Sequence, residues 1–246
     1  MPNGAVLPSI GDHGMTTHDW RLYLPVAAAA GLALVAAMQP LVDPRLLFLD
    51  PMIAGVVSGD CCRSWYGFMS TLGVLMWVAT GAVALFAAML LRRIDRGSGA
   101  WMPLLFAGLI SLFFGIDDVY LVHENAAPKL GVPQIAVLLG YVSMAMAYMV
   151  LSWRRILAFN PVLFLLAGGL LAMSLAFDVF GIEGSVATIV WEDGAKFAGI
   201  AAWASYHLGF AARALRTAMS APARAGQPVA RPFEPASSAS RVYRTS

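Results

Sequence analysis

Of the 246 residues, 59% are hydrophobic and 12% are charged, about half of the ~25% charged residues of an average soluble domain. That deficit excludes an ordinary water-soluble globule, and a formal net charge of +2 gives no reason to expect a nucleic-acid partner. Two cysteines and four histidines also argue against a haem or iron–sulfur centre.

A helix needs roughly 20 mainly apolar residues to cross a bilayer, and six such runs can be placed, at 22–42, 68–91, 102–122, 135–153, 156–180 and 186–210. The expected fold is all-α: an integral membrane bundle of six transmembrane helices. Arg92, Arg93 and Arg96 follow the second run, Arg154 and Arg155 the fourth, and Arg213 and Arg216 the sixth. Because Lys and Arg accumulate on the cytoplasmic side, both termini are expected inside a bacterial-type inner membrane. Residues 1–20 then form a cytoplasmic segment, 21–216 the transmembrane domain, and 217–246 a tail. The tail's Ala, Pro, Ser and Arg content cannot pack a core, and it is expected to be disordered.

The connection between the first two runs is long and not hydrophilic. Asp50 followed by Pro51 is a helix-start signature, an N-cap residue before a first-turn proline. An interfacial helix is therefore expected in this first outer loop. Cys61 and Cys62 stand side by side after it, in an oxidising compartment if the orientation holds.

Chemistry-bearing residues gather at the other ends of the later runs. The third run ends in Asp117 and Asp118, followed by His123 and Glu124; the fifth ends near Asp178, and the sixth begins with Glu192, Asp193 and Lys196. Counting residues along each span brings Asp117, Asp118, Asp178, Glu192 and Asp193 to one depth, just under the outer boundary. Ionisable groups at such depth are costly and face a bundle interior or a wet cavity. If the third helix continues unbroken, Asp117, Tyr120 and Glu124 share a face, His123 lies at its edge and Asp118 points away. Glu192 and Lys196, spaced i, i+4, are placed for an ion pair.

Two blocks, Asp117-Asp118 with His123-Glu124 and Glu192-Asp193-Gly194 with Lys196 and Gly199, resemble those of uncharacterised bacterial multi-pass membrane proteins. The resemblance covers the last four spans and implies a membrane bundle, without an activity.

Carboxylates with one histidine suit a divalent ion such as Zn, Mn or Fe, with bound water as a nucleophile. On that reading Asp117, Asp118, His123, Glu124 and Asp178 are metal ligands. Glu192 or Asp193 is the general base, and Lys196 is an ion-pair partner or oxyanion stabiliser. The substrate would be a lipid-like or small molecule reaching the site from the bilayer. Two other readings fit the same residues: a proton- or cation-coupled transporter, and a network that only locks the bundle. Oligomeric state is left open.

Overall fold

The computed structural model describes residues 19–61, 63–180 and 185–220, apart from the Asp178 side chain. Among these residues the regular elements are all helical. The α-helices are α1 (Leu24–Met38), α2 (Arg45–Phe48), α3 (Pro51–Ser58), α4 (Phe68–Ile94), α5 (Trp101–Tyr120), α6 (Ala127–Lys129), α7 (Gln134–Phe159), α8 (Pro161–Phe180) and α9 (Val186–Ser220). Each hydrophobic run corresponds to one long helix. By length and apolarity, four segments meet the requirement for crossing a membrane: Trp20–Met38, Phe68–Ile94, Trp101–Tyr120 and Gln134–Phe159. Residues 217–220 of the expected tail form the end of α9, and the rest of it lies outside the described residues.

α9 is the hub, packing against α1, α4 and α8. Its middle is buried on nearly every side, from Ala195 through His207. A helix that is apolar around its circumference is stable only inside such a packing. α4 and α5 come into close contact at two glycines. A Cβ on Gly81 would fall 2.7 Å from the Leu112 side chain, and one on Gly108 would fall 2.7 Å from Leu85. Small residues let membrane helices bring their backbones together in this way. An aromatic layer of Trp77, Phe114, Tyr148, Phe164 and Trp203 fills the middle of the bundle.

Several helix boundaries differ from the sequence expectation: α1 ends at Met38 and not at residue 42, α9 runs on to Ser220, and the junction of the fourth and fifth runs moves. The fourth run does not stop at Arg154 and Arg155; α7 continues to Phe159, because arginine is a good helix former. The break comes at Asn160, whose extended backbone precedes Pro161. Its Oδ1 accepts the Leu163 N–H at 3.1 Å and the Tyr23 hydroxyl at 3.1 Å. This is an N-cap followed by a first-turn proline.

The arginine-rich end is held by local contacts. Arg92 lies over Trp101 and Arg213 over Phe159, while Arg155 donates to the Ser98 carbonyl. In the first loop α3 begins at Pro51 as expected, and α2 precedes it. Phe48 and Ala54 anchor this loop in the bundle, whereas Met52 and Val56 are exposed. Cys61 is disulfide-bonded, and Cys62 lies outside the described residues.

Candidate functional site

The site is organised by the end of α5. Neighbouring residues on a helix are about 100° apart, so Asp117 and Asp118 face different partners although both are buried. Asp117 faces α7, where the Tyr141 hydroxyl donates to its Oδ1 at 2.6 Å. Asp118 faces α9, where Lys196 Nζ lies 2.8 Å from its Oδ1. Asp118 therefore belongs to the cluster, against the expectation from helical phase. Lys196 thus makes an ion pair across helices, with an acid of the third run.

α5 then breaks. Leu121 adopts a left-handed backbone, φ 47°, a conformation that costs a non-glycine residue roughly 1–2 kcal/mol. Its N–H closes onto the Asp117 carbonyl, and a single π-type turn, Val122–Ala126, continues the chain. This turn folds His123 back onto the helix end. The His123 N–H donates to Asp117 Oδ1 at 3.1 Å, and its Nδ1 lies 2.7 Å from Asp117 Oδ2. Its Nε2 lies on the side of Glu124, 3.5 Å from Oε1. The expected common face of Asp117, Tyr120 and Glu124 is thus interrupted, and Tyr120 is 68% exposed.

His123 stands outside the apolar span. Burial disfavours its imidazolium, but the hydrogen bond and charge of Asp117 outweigh this and raise its pKa above the ordinary value. π-type turns of this kind occur frequently at functional sites.

Asp50 joins the cluster without having been expected there. Its side chain makes no cap bond to α3; instead its Oδ1 accepts the Ser70 hydroxyl at 2.5 Å. Burial raises its pKa, opposed by Ser70 and by the Lys196 charge. The sequence signal was present as the Asp-Pro pair, which reads as a helix start and gives no hint of where the carboxylate points.

Asp50, Asp117, Asp118, His123, Glu124, Glu192, Asp193 and Lys196 all line one cavity of about 430 Å³. That volume lies within the ~300–1,000 Å³ typical of small-molecule sites. Below this charged mouth the walls are aromatic and aliphatic, including Trp77, Phe114, Tyr148 and Trp203. The cavity lies between α5, α7, α8 and α9, and is therefore amphipathic along its depth.

Among the described residues, no three His, Cys, Asp or Glu side chains are grouped to hold one ion. The reason is geometric: Asp117 and Asp118 diverge towards α7 and α9, and His123 Nδ1 is engaged by Asp117. The Asp178 side chain lies outside the described residues.

A second polar chain runs under the cavity floor. His207 is fully buried, with Nδ1 2.9 Å from the Trp203 carbonyl and Nε2 2.8 Å from the Tyr148 hydroxyl. A carbonyl can only accept, so Nδ1 carries the proton and Tyr148 donates to Nε2. The Trp203 indole donates to Ser111 Oγ at 2.9 Å, and Ser111 donates to the Ala107 carbonyl. This chain ties α5, α7 and α9 together with its polar groups satisfied.

The chain belongs to the family described as "Domain of unknown function (DUF8692)", whose model matches residues 23–210. No curated protein and no solved structure matches it.

Proposed function

We propose that this chain is a six-span inner-membrane enzyme, termini cytoplasmic, that hydrolyses an ester or amide in a lipid-like molecule at the outer face. The observation that carries the reading is the Asp117–His123 pair on the wall of an amphipathic cavity. Arginines concentrate at the opposite end of the bundle, which supports placing the site outward. The Arg154–Arg155 and Arg213–Arg216 clusters bring the two remaining helices, α8 and α9, into the same alternation.

In this reading Asp117 orients the imidazole by holding Nδ1–H, the role a buried carboxylate plays beside a general base. His123 Nε2 takes a proton from water as the water oxygen bonds to the substrate carbonyl carbon. The tetrahedral adduct then expels the alcohol or amine, which receives the proton from His123. Tyr141 holds Asp117 from the α7 side. Lys196, already paired with Asp118, contributes positive charge near the mouth for the developing oxyanion. Glu192 and Asp193 position the polar head.

The test is hydrolysis of 4-nitrophenyl decanoate by the full chain in proteoliposomes. Replacing His123 with Gln or Asp117 with Asn should slow it about 10²–10⁴-fold, the usual worth of a positioned acid–base group. Equal rates for wild type and both variants would exclude this reading.

A further inference from the structure

We propose that the molecule bound in this cavity is a single-chain amphiphile with an ammonium head. In it, a hydrogen-bond acceptor joins the head to the chain, and the chain enters sideways between α7 and α8. The inference rests on reading the cavity as a lipid-head site and adds the class of ligand.

The charge of the mouth sets the head group. Lys196 pairs with Asp118, and His123 with Asp117 and, at 3.5 Å, with Glu124. Asp193 has no hydrogen bond or ion pair among the described residues. It shares with Asp50 a small recess beside Lys196, of about 20 Å³. Carboxylates left in excess around one lysine must share protons or meet a further cation. A primary ammonium, with three donors, fits such a ring. An anionic head would be repelled by it.

The floor sets the linking group beneath the head. Trp77 lines the cavity and is only 3% exposed, yet its indole Nε1–H has no acceptor among the described residues. Orphaned buried donors are rare and call for a partner. Trp77 packs on Phe114, about one helical turn below Asp117 and Asp118. The nitrogen itself has almost no exposed surface, so an ester or amide carbonyl beneath the ammonium reaches this donor only as the indole turns within its packing against Phe114.

The side wall sets the chain. Val142 and Met146 of α7 and Gly168 and Ala172 of α8 all line the cavity and are all exposed. A Cβ on Gly168 would meet nothing within 4 Å. The wall is thus open between these helices, and in a bilayer this slot faces hydrocarbon, where an alkyl chain can lie without contacting water.

The experiment uses the full-length His123→Gln protein in nanodiscs, so that binding is read without turnover. Glycine dodecyl ester is compared with its N-acetyl derivative by saturable quenching of tryptophan fluorescence. The ammonium probe should bind at least about tenfold more tightly. Asp193→Asn should remove most of that preference, weakening the ammonium probe far more than the N-acetyl probe; Asp50→Asn serves the same purpose if Asp193→Asn does not fold. Gly168→Phe should weaken both probes by filling the slot. Equal binding of the two probes, or a preference untouched by both acid variants, would overturn the proposal. Ammonium-selective binding without hydrolysis in the wild type would count against the enzyme alone. Hydrolysis of neutral esters without ammonium preference would count against this inference alone.

Discussion

Lys196 Nζ sits 2.8 Å from Asp118 Oδ1 and so joins α9 to α5 across the mouth of the cavity. The Asp118 side chain is 8% exposed and that of Lys196 is 34% exposed. The pair is therefore sheltered on one side only.

Removing one member of a fully buried pair costs about 3–5 kcal/mol, because it strands the other charge. Partial exposure of Lys196 reduces this, and Asp118→Asn or Lys196→Met should each cost on the order of 2 kcal/mol. The double variant should lose less than the two single losses added together, since no charge is then left alone. Thermal unfolding of the four proteins in one detergent measures the coupling. Strict additivity would show that the pair does not interact.

His123 supplies a pH dependence of known sign. Its pKa lies above the ordinary 6.5, since burial opposes the imidazolium but Asp117 outweighs it. The folded protein therefore binds this proton more tightly than the unfolded chain does. Stability from the pair is fully present below pH 6.5 and is lost as pH rises through the folded-state value. Chemical-shift titration of labelled histidine in nanodiscs should place the wild-type midpoint above 6.5, and Asp117→Asn should lower it, because burial and the Lys196 charge are then opposed only by Glu124. A midpoint unmoved by Asp117→Asn would refute the assignment.

Leu121 combines a strained backbone with a buried side chain, 3% exposed at φ 47°. Leu121→Ala loses the burial and keeps the strain. Leu121→Gly loses the same burial but adopts this backbone freely. The glycine variant should therefore be more stable than the alanine variant by about 1 kcal/mol. This reverses the order expected inside a continuous helix, so the relative melting temperatures test whether α5 ends there.

Much of the architecture was legible because the bilayer requirement acts on each segment separately. Phe68 as the start of α4 and Val186 as the start of α9 follow from local apolarity. Pro51 as the start of α3 follows from local turn chemistry. Asn160 was equally readable as a cap before Pro161, but the arginines at 154 and 155 drew the boundary too early. For the site, residue counting brought Asp117, Asp118, Asp178, Glu192 and Asp193 to one depth; four of these line one cavity, and the Asp178 side chain lies outside the described residues.

Pairing within the site was not legible in this way. Helical phase carries information only while the helix lasts, and a leucine in the left-handed region gives no warning in the sequence. Phase set Tyr120 on the face of Asp117 and turned Asp118 away, yet within α5 Tyr120 is exposed and Asp118 is buried, because packing against α9 chose the face. Past Leu121 the π-type turn resets the positions of His123 and Glu124. The choice of Asp118 as the partner of Lys196, and the arrival of Asp50 from a different loop, depend on how α3, α5 and α9 pack.

The sequence by itself determined an apolar helical bundle with its acids and arginines at opposite ends, since hydropathy and charge are properties of single segments. Only the tertiary structure decided that Asp117 holds His123, that Asp118 holds Lys196, and that their cavity continues into an aromatic floor. Those relationships are distances between segments, set by glycine-mediated helix contacts and one broken helix end, and no segment carries them alone.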